Sequence, residues 1–144
     1  GYAPHFSDAI ASVAGEEELE RLTATAYAPF GACPDEGVPD TTQTFIDAIE
    51  EFDPDVFETL SLDLAAASRD AVWIAKAAIE GAGTTDGEAV ATWLEENSGS
   101  LGDDLVNQGV AASPETHFLF GPDAMVLVSP AEQVERGIYT RADC

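Results

Sequence analysis

Nucleophilic or general acid–base chemistry needs a nucleophile, a base and an orienting group within hydrogen-bond reach. The histidines available as bases are His5 and His117. His117 sits in the apolar run THFLF, where a strand-end or core histidine is the favoured reading. No serine lies in a GxSxG turn, so a hydrolase nucleophile lacks support. Two histidines without a third nitrogen or a thiolate beside them make a weak metal set. No glycine-rich dinucleotide or Walker-type loop is present to cradle a phosphate. With 28 Asp and Glu in the chain, any two carboxylates can be named as a glycosidase pair, and that abundance empties the signal. The acidic runs GEEELE (15–20) and GDD (102–104) lack the alternating oxygen-ligand spacing of a calcium loop and read as solvated faces. The aromatic set of Tyr2, Phe6, Tyr27, Phe30, Trp73 and Trp93 reads as core. The expectation is a protein without catalytic residues, metal or cofactor.

Cys33 and Cys144 are too far apart for a CxxC redox or zinc motif. One disulfide between them is favoured over two unrelated thiols. It would close a loop of about 111 residues (144 minus 33), for which chain entropy gives about 4 to 5 kcal/mol.

The 144 residues have the length of one ordinary domain, and 45% apolar residues suffice for a core. The net charge, 5 minus 28 or -23, repels a phosphate backbone, so nucleic acid is excluded as a partner and an anionic membrane surface is disfavoured. Such a surface suits salt-rich or extracellular water. Neither a signal peptide nor a membrane-length apolar run is present, so any export segment has been removed or lies outside this sequence.

The elements that must position any site follow from periodicity. HFSDAIASVAG places Phe6, Ile10 and Val13 on one helical face, with Gly15 as a stop. LTATAY alternates as a half-buried strand. Ala28 to Asp40, with three prolines and two glycines in thirteen residues, reads as a crossover or loop. A helix from Thr42 puts Phe45, Ile49 and Phe52 on one face, with Thr41 or Thr42 as cap, and DPDVF ends it. Another runs from about Leu62 to Glu80, stopped by Gly81 and Gly83. Thr85 and Glu88 fit a capping box for a helix carrying Val90, Trp93 and Leu94. The long helix is ringed by Leu64, Ala71, Ile74, Ala75, Ala78 and Ile79, which predicts burial on most sides. HFLF, MVLV and GIY read as short strands near the end, few for so apolar a helix to cover.

Taken together, GYAPHFSDAI, LTATAYAPFG, ASRDAVWIAKAAIEGAGTTDGEAVATWLEE and SPETHFLFGPD resemble the later part of a type I solute-binding protein of the leucine/isoleucine/valine-binding family. The third stretch is the most specific, being similar to a family stretch of the form YDAVxxLAxAIExAGSxDGxAVxxAL. The resemblance spans nearly all of this sequence but only the last two-fifths or so of such a protein.

The resemblance implies an α/β fold of partial periplasmic-binding-protein-like lobes, with helices packed on a small, mostly parallel sheet. Residues 1–30 would belong to the second lobe, 41–120 to the first, and 121–144 to a crossover and the C-terminal second-lobe strand. It implies a small organic ligand such as a branched-chain amino acid, ABC permease subunits as partners, and no enzymatic activity. The ligand would meet Tyr2 and Ala3 from one lobe and the helix start at Asp63, Ala65 and Ala66 from the other. Tyr2-Ala3-Pro4 stands where amino-acid binders often carry an acidic side chain for the ligand ammonium, which leaves other small organic ligands open. Location would be extracellular, on a cell-surface lipoprotein, or periplasmic, and an exposed sheet edge would permit self-association. The alternative is a ligand-sensing receptor ectodomain with the same fold.

Overall fold

The computed structural model describes residues 13–144. Among them lie five α-helices and one four-stranded mixed sheet. They fall into two compact units: the first comprises the residues up to Leu64 together with Met125–Cys144, and the second, Ala65–Ala124, is inserted into it in sequence.

In the first unit, α1 (Glu16–Glu20) lies against the sheet through its buried Leu19. Strand β1 (Ala24–Tyr27) buries Ala24 and Ala26 and leaves Thr25 and Tyr27 half-buried, the alternation expected of LTATAY. A second strand, β2, is only Gly31–Ala32, inside the segment expected to be a loop. Gly31 allows close packing there, since a Cβ on it would sit 2.6 Å from Val126 Cγ2. The remaining strands are β3 (Met125–Glu135) and β4 (Ile138–Arg141), and the sheet order is β1-β3-β4-β2.

The expected mostly parallel sheet is not what forms. β1–β3 and β3–β4 are antiparallel, and only the two-residue β2–β4 pairing is parallel. The cause is local: Arg136-Gly137 turns β3 directly into β4, with Gly137 at φ 76, and a connection that short can only return antiparallel. Pro130 lies within β3 rather than ending it, in the stretch between Ser129 and Gln133 where the register shifts. Ala24, Ala26, Val128 and Tyr139 form the sheet core, with Val126 packed against them.

Helix α2 (Asp40–Phe52) starts after Pro39, so neither Thr41 nor Thr42 caps it. Its buried seam is Thr42 and Ile46, with Phe45 and Ile49 half-buried, whereas Phe52 is 86% exposed, contrary to the expected Phe45–Ile49–Phe52 face. The next helix, α3 (Pro54–Thr59), is capped by Asp53, whose carboxylate accepts from the Asp55 and Val56 N–H groups at 3.0 and 3.1 Å. Its buried Phe57 lies under the Arg136 guanidinium, 4.6 Å from the ring centroid, and Arg136 donates to the Leu60 carbonyl.

Helix α4 (Leu62–Ala82) ends where Gly83 takes φ 66. Leu62, Ala66, Asp70, Ile74 and Ala78 are buried at four-residue intervals, a single seam. Val72 is 69% exposed, and Leu64, Trp73 and Ile79 are exposed as well. The expectation of burial on most sides is therefore overturned.

Asp86 caps α5 (Gly87–Asn97) by accepting from the Ala89 N–H at 3.1 Å, displacing the expected Thr85–Glu88 box. Thr84 supports the cap, its hydroxyl accepting from the Asp86 N–H. The second unit closes on Ile74, Leu101, Leu105 and Val110, with Trp93 and Leu94 packed against them. HFLF is not a strand; Phe120 alone makes an isolated bridge, to Val110.

Candidate functional site

Of the residues that the resemblance implicates, Tyr2 and Ala3 lie outside the described residues, as does His5. Asp63, Ala65 and Ala66 share the first turns of α4. Asp63 is buried and accepts a 2.6 Å hydrogen bond from the Ser61 hydroxyl, which fixes an acidic group at the positive end of the helix dipole. Ala65 is half-buried and Ala66 fully buried.

The most organised polar cluster of the second unit was not foreseen. Asp70, 1% exposed, accepts from the Val106 N–H at 3.1 Å, the Asn107 N–H at 2.7 Å and the Asn107 side-chain amide at 3.0 Å. Arg69 Nη1 donates at 2.8 Å to Asp70 Oδ1, the oxygen that also accepts from Val106, and at 3.0 Å to the Asp104 carbonyl. A buried carboxylate needs such donors to offset its lost hydration. Its effect is to pin the 104–107 segment onto α4. The only hint in the sequence is an Asp falling on the four-residue seam of an otherwise apolar helix.

Beside this cluster, Trp73 carries Arg69 and Lys76 over its ring at 5.2 and 5.7 Å. Lys76 also pairs with Glu80. An open groove of about 440 Å³ runs along α5, lined by Ala82, Asp86, Glu88, Ala89, Thr92, Trp93 and Glu96. His117 is 69% exposed at its side chain and its Nε2 lies 2.8 Å from Glu95 Oε1, so the core or strand-end reading of this histidine is corrected. A solvated His–Glu pair of this kind is a surface contact of small energetic weight.

In the first unit the expected disulfide is formed: Cys33 and Cys144 are joined, with Cα atoms 5.6 Å apart. Cys33 follows β2 directly, and the turn after it returns the Glu36 and Gly37 N–H groups to its carbonyl. Cys144 follows β4 and donates its N–H to the Arg141 carbonyl. Arg141 grips Asp143 through Nε and Nη2, at 2.9 and 2.6 Å, and its Nη1 lies 3.9 Å from Glu36. The hydrogen bonds and charge of Arg141 hold the Asp143 carboxyl below the usual carboxylate range, and Asp143 and Glu36 in turn raise the Arg141 guanidinium.

Compared with family models, curated proteins and solved structures, the chain matches none. No helix among the described residues is long and apolar enough to cross a membrane. The disulfide fits an oxidising environment such as the cell exterior.

Proposed function

We propose that the chain is part of an extracytoplasmic substrate-binding component of an ABC importer, which captures a small organic solute such as a branched-chain amino acid and delivers it to permease subunits in the membrane. The observation that supports this reading most is the insertion of one compact unit into the sequence of another, the order that arises when a chain passes more than once between the lobes of a hinged receptor. The Cys33–Cys144 bridge and the acidic composition suit a protein working outside the cytoplasm, on the cell surface or in a periplasm. No bond is made or broken in this function.

The test is calorimetric titration of the gene product containing this chain with leucine, isoleucine, valine and a panel of small aromatic acids, paired with uptake of the same labelled solutes in cells lacking the gene. One saturable ligand whose uptake is lost on deletion is the expected result. Absence of binding across the panel, with uptake unchanged, would overturn the reading. Saturable binding with unchanged uptake would point to a sensing ectodomain.

A further inference from the structure

We propose that the groove along α5 binds a linear polyamine, an unbranched methylene chain with a protonated amine at each end. Half-buried Ala82, Ala89 and Trp93 form its floor, and exposed Asp86, Glu88 and Glu96 form its rim, around a space of about 440 Å³.

Carboxylates alone would mean little in a chain of net charge -23. These differ in being uncommitted around an aromatic surface. No Lys or Arg occurs in the sequence between Lys76 and Arg136. The basic side chains of the second unit, Arg69 and Lys76, are committed elsewhere: Arg69 to Asp70 and the Asp104 carbonyl, Lys76 to Glu80, and both to the Trp73 ring. Glu88 and Glu96 have neither an ion pair nor a hydrogen bond among the described residues. Asp86 engages only Oδ1, in capping α5. Trp93 carries no cation over its ring among the described residues, whereas Trp73 carries two. The groove therefore presents carboxylate acceptors and a π face that both favour a positive charge, and the charge must come from outside the chain.

Spacing selects the kind of cation. Glu88, Thr92 and Glu96 recur at four-residue intervals, so they form one line along α5 beside the line of Ala89 and Trp93. At 1.5 Å of rise per residue, Glu88 and Glu96 are about 12 Å apart along the axis. The three rim carboxylates are absent from the ligand groups whose atoms gather within 4.8 Å, so they do not converge on one metal ion. A single ammonium meets one end of the line; a polyamine reaches both, with its methylenes lying on Ala89 and the Trp93 indole. The ring is a fixed platform, held between Gly81 and the cluster of Ile74, Leu101, Leu105 and Val110. The proposal does not rest on the transport reading, since every groove residue belongs to the second unit.

The experiment titrates spermidine into the ¹⁵N-labelled chain and follows backbone amide and indole N–H resonances. Sodium chloride at about 0.15 M, where the screening length is about 8 Å, suppresses general attraction to the acidic surface. One saturable site is expected, with shifts concentrated in residues 82–96 and at the Trp93 indole N–H. Glu88→Gln with Glu96→Gln should weaken binding about tenfold, the sum of two exposed ion pairs. Glu50→Gln with Glu51→Gln removes the same charge from exposed positions of α2 and should leave affinity unchanged. Butylamine, with one amine, should bind about tenfold more weakly than spermidine, having lost one end of the contact and one cation. Shifts that spread over all acidic surfaces without saturating, equal weakening by the two double variants, or butylamine matching spermidine would each overturn the proposal.

Discussion

The indole of Trp93 lies directly against Gly81: a Cβ built on Gly81 would fall 2.2 Å from Trp93 Cε2 and 2.4 Å from Nε1. Within a helix, Gly→Ala ordinarily stabilises by up to about 1 kcal/mol. Here the added methyl must push a ring that packs against Ile74, Leu101, Leu105 and Val110, and overpacking costs about 1–3 kcal/mol. Gly81→Ala should therefore destabilise the second unit by about 1 kcal/mol net, read as a lower urea midpoint by Trp fluorescence, despite the better helix former. An unchanged or raised midpoint would show that the ring moves freely.

Removing the Asp70 carboxylate leaves the Val106 and Asn107 N–H groups and the Asn107 side-chain amide without their acceptor. Asp70→Ala should cost about 3 kcal/mol. Hydrogen exchange at the Val106 and Asn107 amides should rise more than elsewhere in the chain, which separates loss of this anchor from general loosening.

The bridge closes a span of 111 residues, for which the chain-entropy model gives about 4 to 5 kcal/mol. Cys33→Ser and Cys144→Ser should each lower stability by an amount near that, measured by urea unfolding under oxidising conditions. The double variant should lose no more than either single one, since both remove the same bond. Thiol titration of the unreduced, denatured protein should find none free.

How Asp143 titrates gives a direct reading of its contact with Arg141. Because that contact lowers its pKa, its contribution to stability is complete above the ordinary carboxylate pKa and is lost as pH falls through the lowered value. Arg141→Gln should move the Asp143 carboxyl resonance midpoint upward in an NMR titration, toward the ordinary carboxylate value. A midpoint that stays put would assign the shift to another group.

A net charge of -23 predicts that added sodium chloride raises the unfolding temperature, because screening weakens repulsion among exposed carboxylates. Scanning fluorimetry from low to high salt reads the trend, and a fall would mean that attractive surface pairs dominate.

What the sequence disclosed depended on how local the determining interaction was. Ala24 and Ala26 alternate with Thr25 and Tyr27 because one strand has two unlike faces, a pattern visible within four residues. The cysteine pair was legible from count alone. In contrast, β2 is two residues among prolines and glycines, and only its pairing with Tyr139 and Thr140, far along the chain, makes it a strand. Side-chain bulk alone points to Phe45, Ile49 and Phe52 as the seam of α2, whereas Thr42 and Ile46 are what the fold covers. Asp70 reads as one more surface acid until its donors, 36 and 37 residues away, are brought to it. Among the candidate site residues, the placement of Asp63 at a helix start is legible in the sequence; its hydrogen bond with Ser61 depends on side-chain geometry that the sequence does not carry.

The register that sets Ala24 opposite Val128 also dictates timing. While the ribosome is still translating the inserted stretch, β1 and β2 have emerged without the neighbours that complete their ladder, so the half-made polypeptide carries unzipped strands until the closing hairpin arrives. Whatever guards a nascent chain against clumping must therefore attend to this stretch until residues 125–141 have emerged.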